Sequence, residues 1–76
     1  MKSIHISTAR KMLDSGDPLD MKVWAKDGKV LEFHRAVGLR YDFRRGTRQV
    51  KLIESRQIRT IRDILIFEIN GMEVFI

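Results

Sequence analysis

The chain has no cysteine, which removes disulfides and thiolate metal sites and makes a reducing cytoplasm the natural compartment. Its two histidines, His5 and His34, stand far apart with no cysteine beside either, so no metal or other cofactor is expected. No apolar run approaches the roughly 20 residues that a bilayer-spanning helix needs, and no apolar stretch near the start suits a signal peptide, so no membrane association is expected. Length sets a further limit, because 76 residues hold one hydrophobic core and therefore one domain, residues 1–76. A domain of this size buries only about 60% of the surface its unfolded chain exposes. With no cross-link or metal to help, dimerisation is the most economical support left.

Catalytic groupings are equally scarce. Neither histidine is spaced to act as base for Ser3, Ser7, Ser15 or Ser55. Glu32 and His34 alternate on one strand face beside Arg35, a pair capable of acid–base work if a concave pocket held it, but a half-exposed polar strand face has the same pattern. Gly46-Thr47-Arg48 lacks the glycine spacing and following helix of a phosphate loop. The expectation is a protein that is not an enzyme.

What the chain does have is localised positive charge. Up to His34 there are six basic and five acidic residues; from Arg35 to Arg62 nine basic residues face only Asp42 and Glu54; from Asp63 onward there are three acidic side chains and no basic one. A central block of this kind attracts polyanions, and it also fits solvated strand faces.

Ser7 to Gly16 reads as a short helix, with Ser7 or Thr8 as N-cap and Gly16 left-handed at its end, ahead of Asp17-Pro18. Ala9, Met12 and Leu13 share one face and should lie over a sheet. Leu19, Met21 and Val23 then alternate with polar residues, and Val30 to Val37 returns. A three-residue loop, Lys26-Asp27-Gly28, pairs Val23 with Leu31, Met21 with Phe33 and Lys22 with Glu32, keeping apolar with apolar; a two-residue turn would mix the faces. Gly38 to Gly46 reads as a strand fragment entering a hairpin tip, and Arg48 to Glu54 as a strand with Val50 and Leu52 inward and Gln49 and Lys51 outward. In Ser55 to Arg62 the period changes to three, suggesting one helical or 3₁₀ turn whose Ile58 and Ile61 plug the end of a small barrel while Arg56, Arg59 and Arg62 share a side; the alternative is that this turn is a docking surface for an acidic partner. Asn70-Gly71 is a type I′ hairpin signal. It would place Leu65, Phe67, Ile69, Met72, Val74 and Ile76 on a core face, with Ile66 and Phe75 on the reverse and Glu68 opposite Glu73, a repulsion expected to be relieved by an arginine.

Two surfaces follow. Arg40, Tyr41, Phe43, Arg44, Arg45 and Arg48, extended by Arg56, Arg59 and Arg62, interleave guanidinium groups with rings, the pairing that suits phosphates and unstacked bases. If these arginines converge on one surface, segment 35–62 is a nucleic-acid-binding surface; if they scatter, that reading fails. Trp24, Val30, Ile66 and Phe75 are left over once the inward faces are assigned, and together they would form an apolar protein interface.

The runs Gly46-Thr47-Arg48-Gln49-Val50-Lys51-Leu52, Ser55-Arg56-Gln57-Ile58-Arg59-Thr60-Ile61-Arg62-Asp63 and Leu65-Ile66-Phe67-Glu68-Ile69-Asn70-Gly71-Met72-Glu73-Val74-Phe75 resemble a family of short uncharacterised bacterial proteins, a domain of unknown function. The resemblance covers residues 46–76 and implies a compact bacterial protein, with no activity, ligand or site residue attached. The fold expected is α+β, a short helix packed on a bent, mainly antiparallel sheet of about five strands that coils toward a small, partly open barrel. The function expected is a non-catalytic interaction module, a homodimer or a binder of another protein; the alternative is a nucleic-acid-binding accessory protein.

Overall fold

A computed structural model of the chain describes residues 2–76. Its elements are β1 (Ser3–His5), α1 (Ile6–Asp14), β2 (Leu19–Trp24), β3 (Val30–Asp42), β4 (Thr47–Leu52), β5 (Ile58–Ile61), a 3₁₀ turn (Asp63–Leu65), β6 (Ile66–Ile69) and β7 (Met72–Phe75). The strands form one seven-stranded sheet in the order β1-β7-β6-β2-β3-β4-β5, antiparallel except where β1 meets β7. The fold is α+β, and the sheet stays open, with β1 and β5 as its edges. Seven strands rather than five arise because β1 precedes the helix and because Ser55 to Arg62 yields a strand, not a helical turn. The spacing of Ile58 and Ile61 misleads there: Ile61 is buried beside Arg48, but Ile58 faces solvent, so the pair does not plug anything.

α1 begins earlier than the serine and threonine suggest. The cap is His5, whose Nδ1 accepts from the Ser7 backbone N–H at 3.1 Å. Its end is as expected, with Gly16 at φ +80°. Ile6, Ala9 and Leu13 are buried against one face of the sheet, over Met21, Val23, Phe33, Ala36, Val50 and Ile69. No second layer covers the other face, so β2 alternates between buried and more exposed residues along its whole length.

Both hairpin registers follow from their turns. Val23 pairs with Leu31, Lys22 with Glu32 and Met21 with Phe33 around Lys26-Asp27-Gly28, whose Gly28 lies at φ +86°. Ile69 pairs with Met72 across Asn70-Gly71, both at positive φ. Glu68 does oppose Glu73, but the relieving cation is Lys22, with Nζ 3.3 Å from the Glu68 carboxylate, rather than an arginine.

Three irregularities bend the sheet and decide which side chains face where. In β3 an extra residue lies between Phe33 and Ala36; Arg35 sits at φ +53°, and its N–H is held by the Asp20 carboxylate at 2.9 Å. A second extra residue lies between Gly38 and Tyr41. The third is in β6, where Lys22 pairs with Glu68 but Val23 pairs with Ile66, leaving Phe67 unpaired. This slip reverses the expected faces. Ile66 turns into the core at 3% exposure, so it is not part of an interface, while Phe67 leaves the core and stacks on Trp24, ring centroids 4.8 Å apart. Ile76 is exposed as well.

Candidate nucleic-acid interface

The hairpin joining β3 to β4 is ordered by Asp42. Its Oδ1 accepts from the backbone N–H groups of Arg44 and Arg45 at 3.0 and 3.3 Å, and its carbonyl accepts from Gly46 N–H at 2.8 Å. This is the local hydrogen bonding for which aspartate is favoured at turn starts. Gly46, at φ +66°, lets the chain re-enter β4. The acidic side chain at the tip is thus engaged with backbone donors while the cations beside it stay free of any ion pair among the described residues.

The tip presents Phe43 at 88% exposure, the most exposed large apolar side chain described. Its ring meets Tyr41 edge-on, with centroids 4.9 Å apart and planes at 85°. Tyr41 is itself held from behind, its ring 5.3 Å from the Arg48 guanidinium and 5.9 Å from that of Arg10. The two rings, Arg40, Arg44 and Arg45, with Thr47, Gln49 and Thr60, line a groove of about 680 Å³.

Arg48 belongs elsewhere. At 3% exposure it lies on the helix side of β4, with Nε 3.1 Å from Asp63 Oδ1 and Nη1 2.7 Å from Asp14 Oδ1, so it cannot be offered to a ligand as expected. Asp63 is 1% exposed, and Arg10 approaches it at 3.5 Å. Burial alone would lower the pKa of Arg48, but the hydrogen bonds it donates to the Asp14 and Asp63 carboxylates, with their negative charge, outweigh it and the guanidinium is held above its usual range. Every buried polar side-chain atom described has a partner. The sign was present in the alternation: with Val50 and Leu52 inward, Arg48 shares their parity.

The remaining arginines divide. Arg56 sits in the β4–β5 turn at φ +59° and Arg59 pairs across from Val50, both toward the end of β4 away from Phe43. Arg62 is exposed just after Ile61, which returns beside Arg48. The arginines therefore scatter, and the single surface expected over segment 35–62 does not form: the groove gathers Arg40, Tyr41, Phe43, Arg44 and Arg45, while Arg48, Arg56, Arg59 and Arg62 lie outside it.

On the uncovered sheet face, Trp24, Val30 and Phe75 are each about half exposed; Phe67 joins Trp24, and Phe75 meets the His5 ring edge-on at 5.4 Å. Glu32 and His34 do share a depression, of about 210 Å³, and lie 3.5 Å apart. Both side chains are more than half exposed, no serine or threonine lines the depression, and Lys22 there is paired with Glu68. Among the described residues no cluster of histidine and carboxylate side chains is placed to hold a metal ion, and no helix is long and apolar enough to cross a membrane.

The chain matches no family model, no curated protein and no solved structure.

Proposed function

We propose that the protein is a nucleic-acid-binding accessory protein that takes single strands on the β3–β4 hairpin. The observation that carries this reading is Phe43, held bare to water beside Tyr41 in a groove that Arg40, Arg44 and Arg45 also line. Burying a phenylalanine is ordinarily worth about 1.5–3 kcal/mol, and a base stacked on it recovers a gain of that order, about 1–3 kcal/mol per base. The arginines supply the phosphate contacts. A duplex hides its base faces, so single strands gain both terms and duplexes only the second.

Fluorescence anisotropy with labelled single- and double-stranded DNA and RNA at two salt concentrations tests this. Single strands should bind more tightly, and Phe43→Ala should weaken them about 5- to 160-fold at either salt, the loss of one stacking contact. Arg44→Ala/Arg45→Ala should instead flatten the salt dependence, lowering the slope of log K against log salt by about 1–2. No binding at low salt, where counterion release is strongest, removes the reading.

Self-association is favoured by a separate observation, the exposed Trp24–Phe67 stack with Val30 beside it. The proposed occupant is a second copy of the chain, because Lys22 and Glu68, already paired beside the stack, leave its surroundings nearly balanced in charge, so that two copies of the patch can meet across a two-fold axis without like-charge repulsion. Sedimentation velocity should show a dimer at tens of micromolar that Trp24→Ser converts to monomer. A wild-type monomer at millimolar concentration ends this reading without touching the first.

A further inference from the structure

Beside the groove, whose lining it shares through Thr60, the edge formed by β5 has unused backbone. β5 pairs on one side only, with β4, and ends the sheet. Leu52 N–H donates to Gln57 C=O at 2.8 Å, which makes 52 and 57 a hydrogen-bonded pair. In an antiparallel ladder such pairs recur every second residue, so Arg59 and Ile61 also turn their N–H and C=O toward β4. Those of Ile58 and Thr60 point away from the sheet. Exposed edges of this kind are templates for strand addition.

The side chains state which strand would fit. Ile58 and Thr60 lie on the uncovered face with Ile58 at 55% exposure, while Arg59 lies on the opposite face; Arg56 and Arg62 flank the edge, both exposed. The adjoining β4 adds Lys51 and no carboxylate. A second copy is a poor occupant, since pairing β5 with itself would bring two of these basic seams together. We infer that the β5 edge takes an acidic, extended segment of another protein by β-strand addition, with an apolar residue against Ile58 alternating with a carboxylate against Arg59.

The probe is a fluorescein-labelled, end-capped eight-residue peptide of alternating glutamate and valine, titrated against the full chain by anisotropy. Binding should be saturable in the micromolar range. It should weaken at least tenfold in Arg59→Glu/Arg62→Glu and at least tenfold in Thr60→Pro, which removes an outward N–H but none of the ladder to β4. Circular dichroism and melting of each variant report the fold, and a wild-type arm needs no variant: the same peptide with every backbone nitrogen methylated keeps its charges and should not bind. Equal binding of the methylated peptide would reduce the effect to charge attraction and overturn the inference. So would a peptide of lysine and valine that binds as well, a β5-dependent dimer of the chain, or peptide affinity that falls in parallel with that of a single-stranded oligonucleotide in Phe43→Ala, which lies off β5.

Discussion

Asp63→Ala is expected to destabilise the fold by about 3–5 kcal/mol, the usual consequence of leaving one partner of a buried ion pair behind. Arg48 has no escape by deprotonation, since guanidinium stays charged, and it is 3% exposed between α1 and the sheet. Its remaining partner, Asp14, is itself largely in water, with a side chain 66% exposed. Against a total of about 5 kcal/mol, the low end of the usual range, a loss of about 5 kcal/mol would leave about half of the chains unfolded at room temperature and a loss of about 3 kcal/mol a few per cent. Urea unfolding with linear extrapolation measures it. The companion variant is Arg48→Met/Asp63→Ala, which removes both charges and keeps apolar bulk; it should recover most of the loss, because well-packed apolar replacements of buried pairs are often neutral or better. If the double variant is as unstable as Asp63→Ala, the orphaned charge is not the cause.

The second large effect belongs to Gly38→Ala. A Cβ there would stand 2.5 Å from the Leu13 carbonyl oxygen, 3.0 Å from its carbon and 3.1 Å from the Leu13 Cα. All three atoms are backbone, in the last turn of α1, so no rotamer change relieves the contact and the helix has to lift. Lifting it unseats Leu13, which is fully buried. Overpacking of this kind costs about 1–3 kcal/mol, which in a domain of this size lowers the melting midpoint by about 5–20 °C. A thermal melt followed by far-UV circular dichroism reads it. A midpoint within a degree of wild type would mean that α1 is not seated on β3 at Gly38.

Features governed by neighbouring residues were legible in the sequence. Asn70-Gly71 and Lys26-Asp27-Gly28 each set a register, because a turn type leaves one pairing that keeps apolar residues together. Features that depend on a distant partner were not. The slip at Phe67 exchanges the faces of Ile66 and Phe67 only because β6 has to match β2, fifty residues or so earlier in the chain. Arg48 carries the right parity for burial, yet its carboxylates come from Asp14 in the helix and Asp63 in the 3₁₀ turn, which no local pattern connects. β5 failed for another reason: with only four residues, a spacing of three between Ile58 and Ile61 imitates a helical turn, and what decides for a strand is the pairing with β4. At the candidate site, the mixture of arginines and rings was visible at once, but its division into a groove, a buried pair and an edge needed the three-dimensional register.

The pairing of β1 with β7 sets an order of assembly. Four hairpins, β2–β3, β3–β4, β4–β5 and β6–β7, join strands that are sequence neighbours, and short loops close with little entropy loss. β1 has β7 as its one strand partner, Ser3 beside Glu73 and His5 beside Phe75, so its contacts span almost the whole chain. Contacts of such separation form late and slow folding. During synthesis Ser3–His5 emerges before the other strands and has to wait for Met72–Phe75, so this edge of the sheet closes only after the six strands behind it have been made.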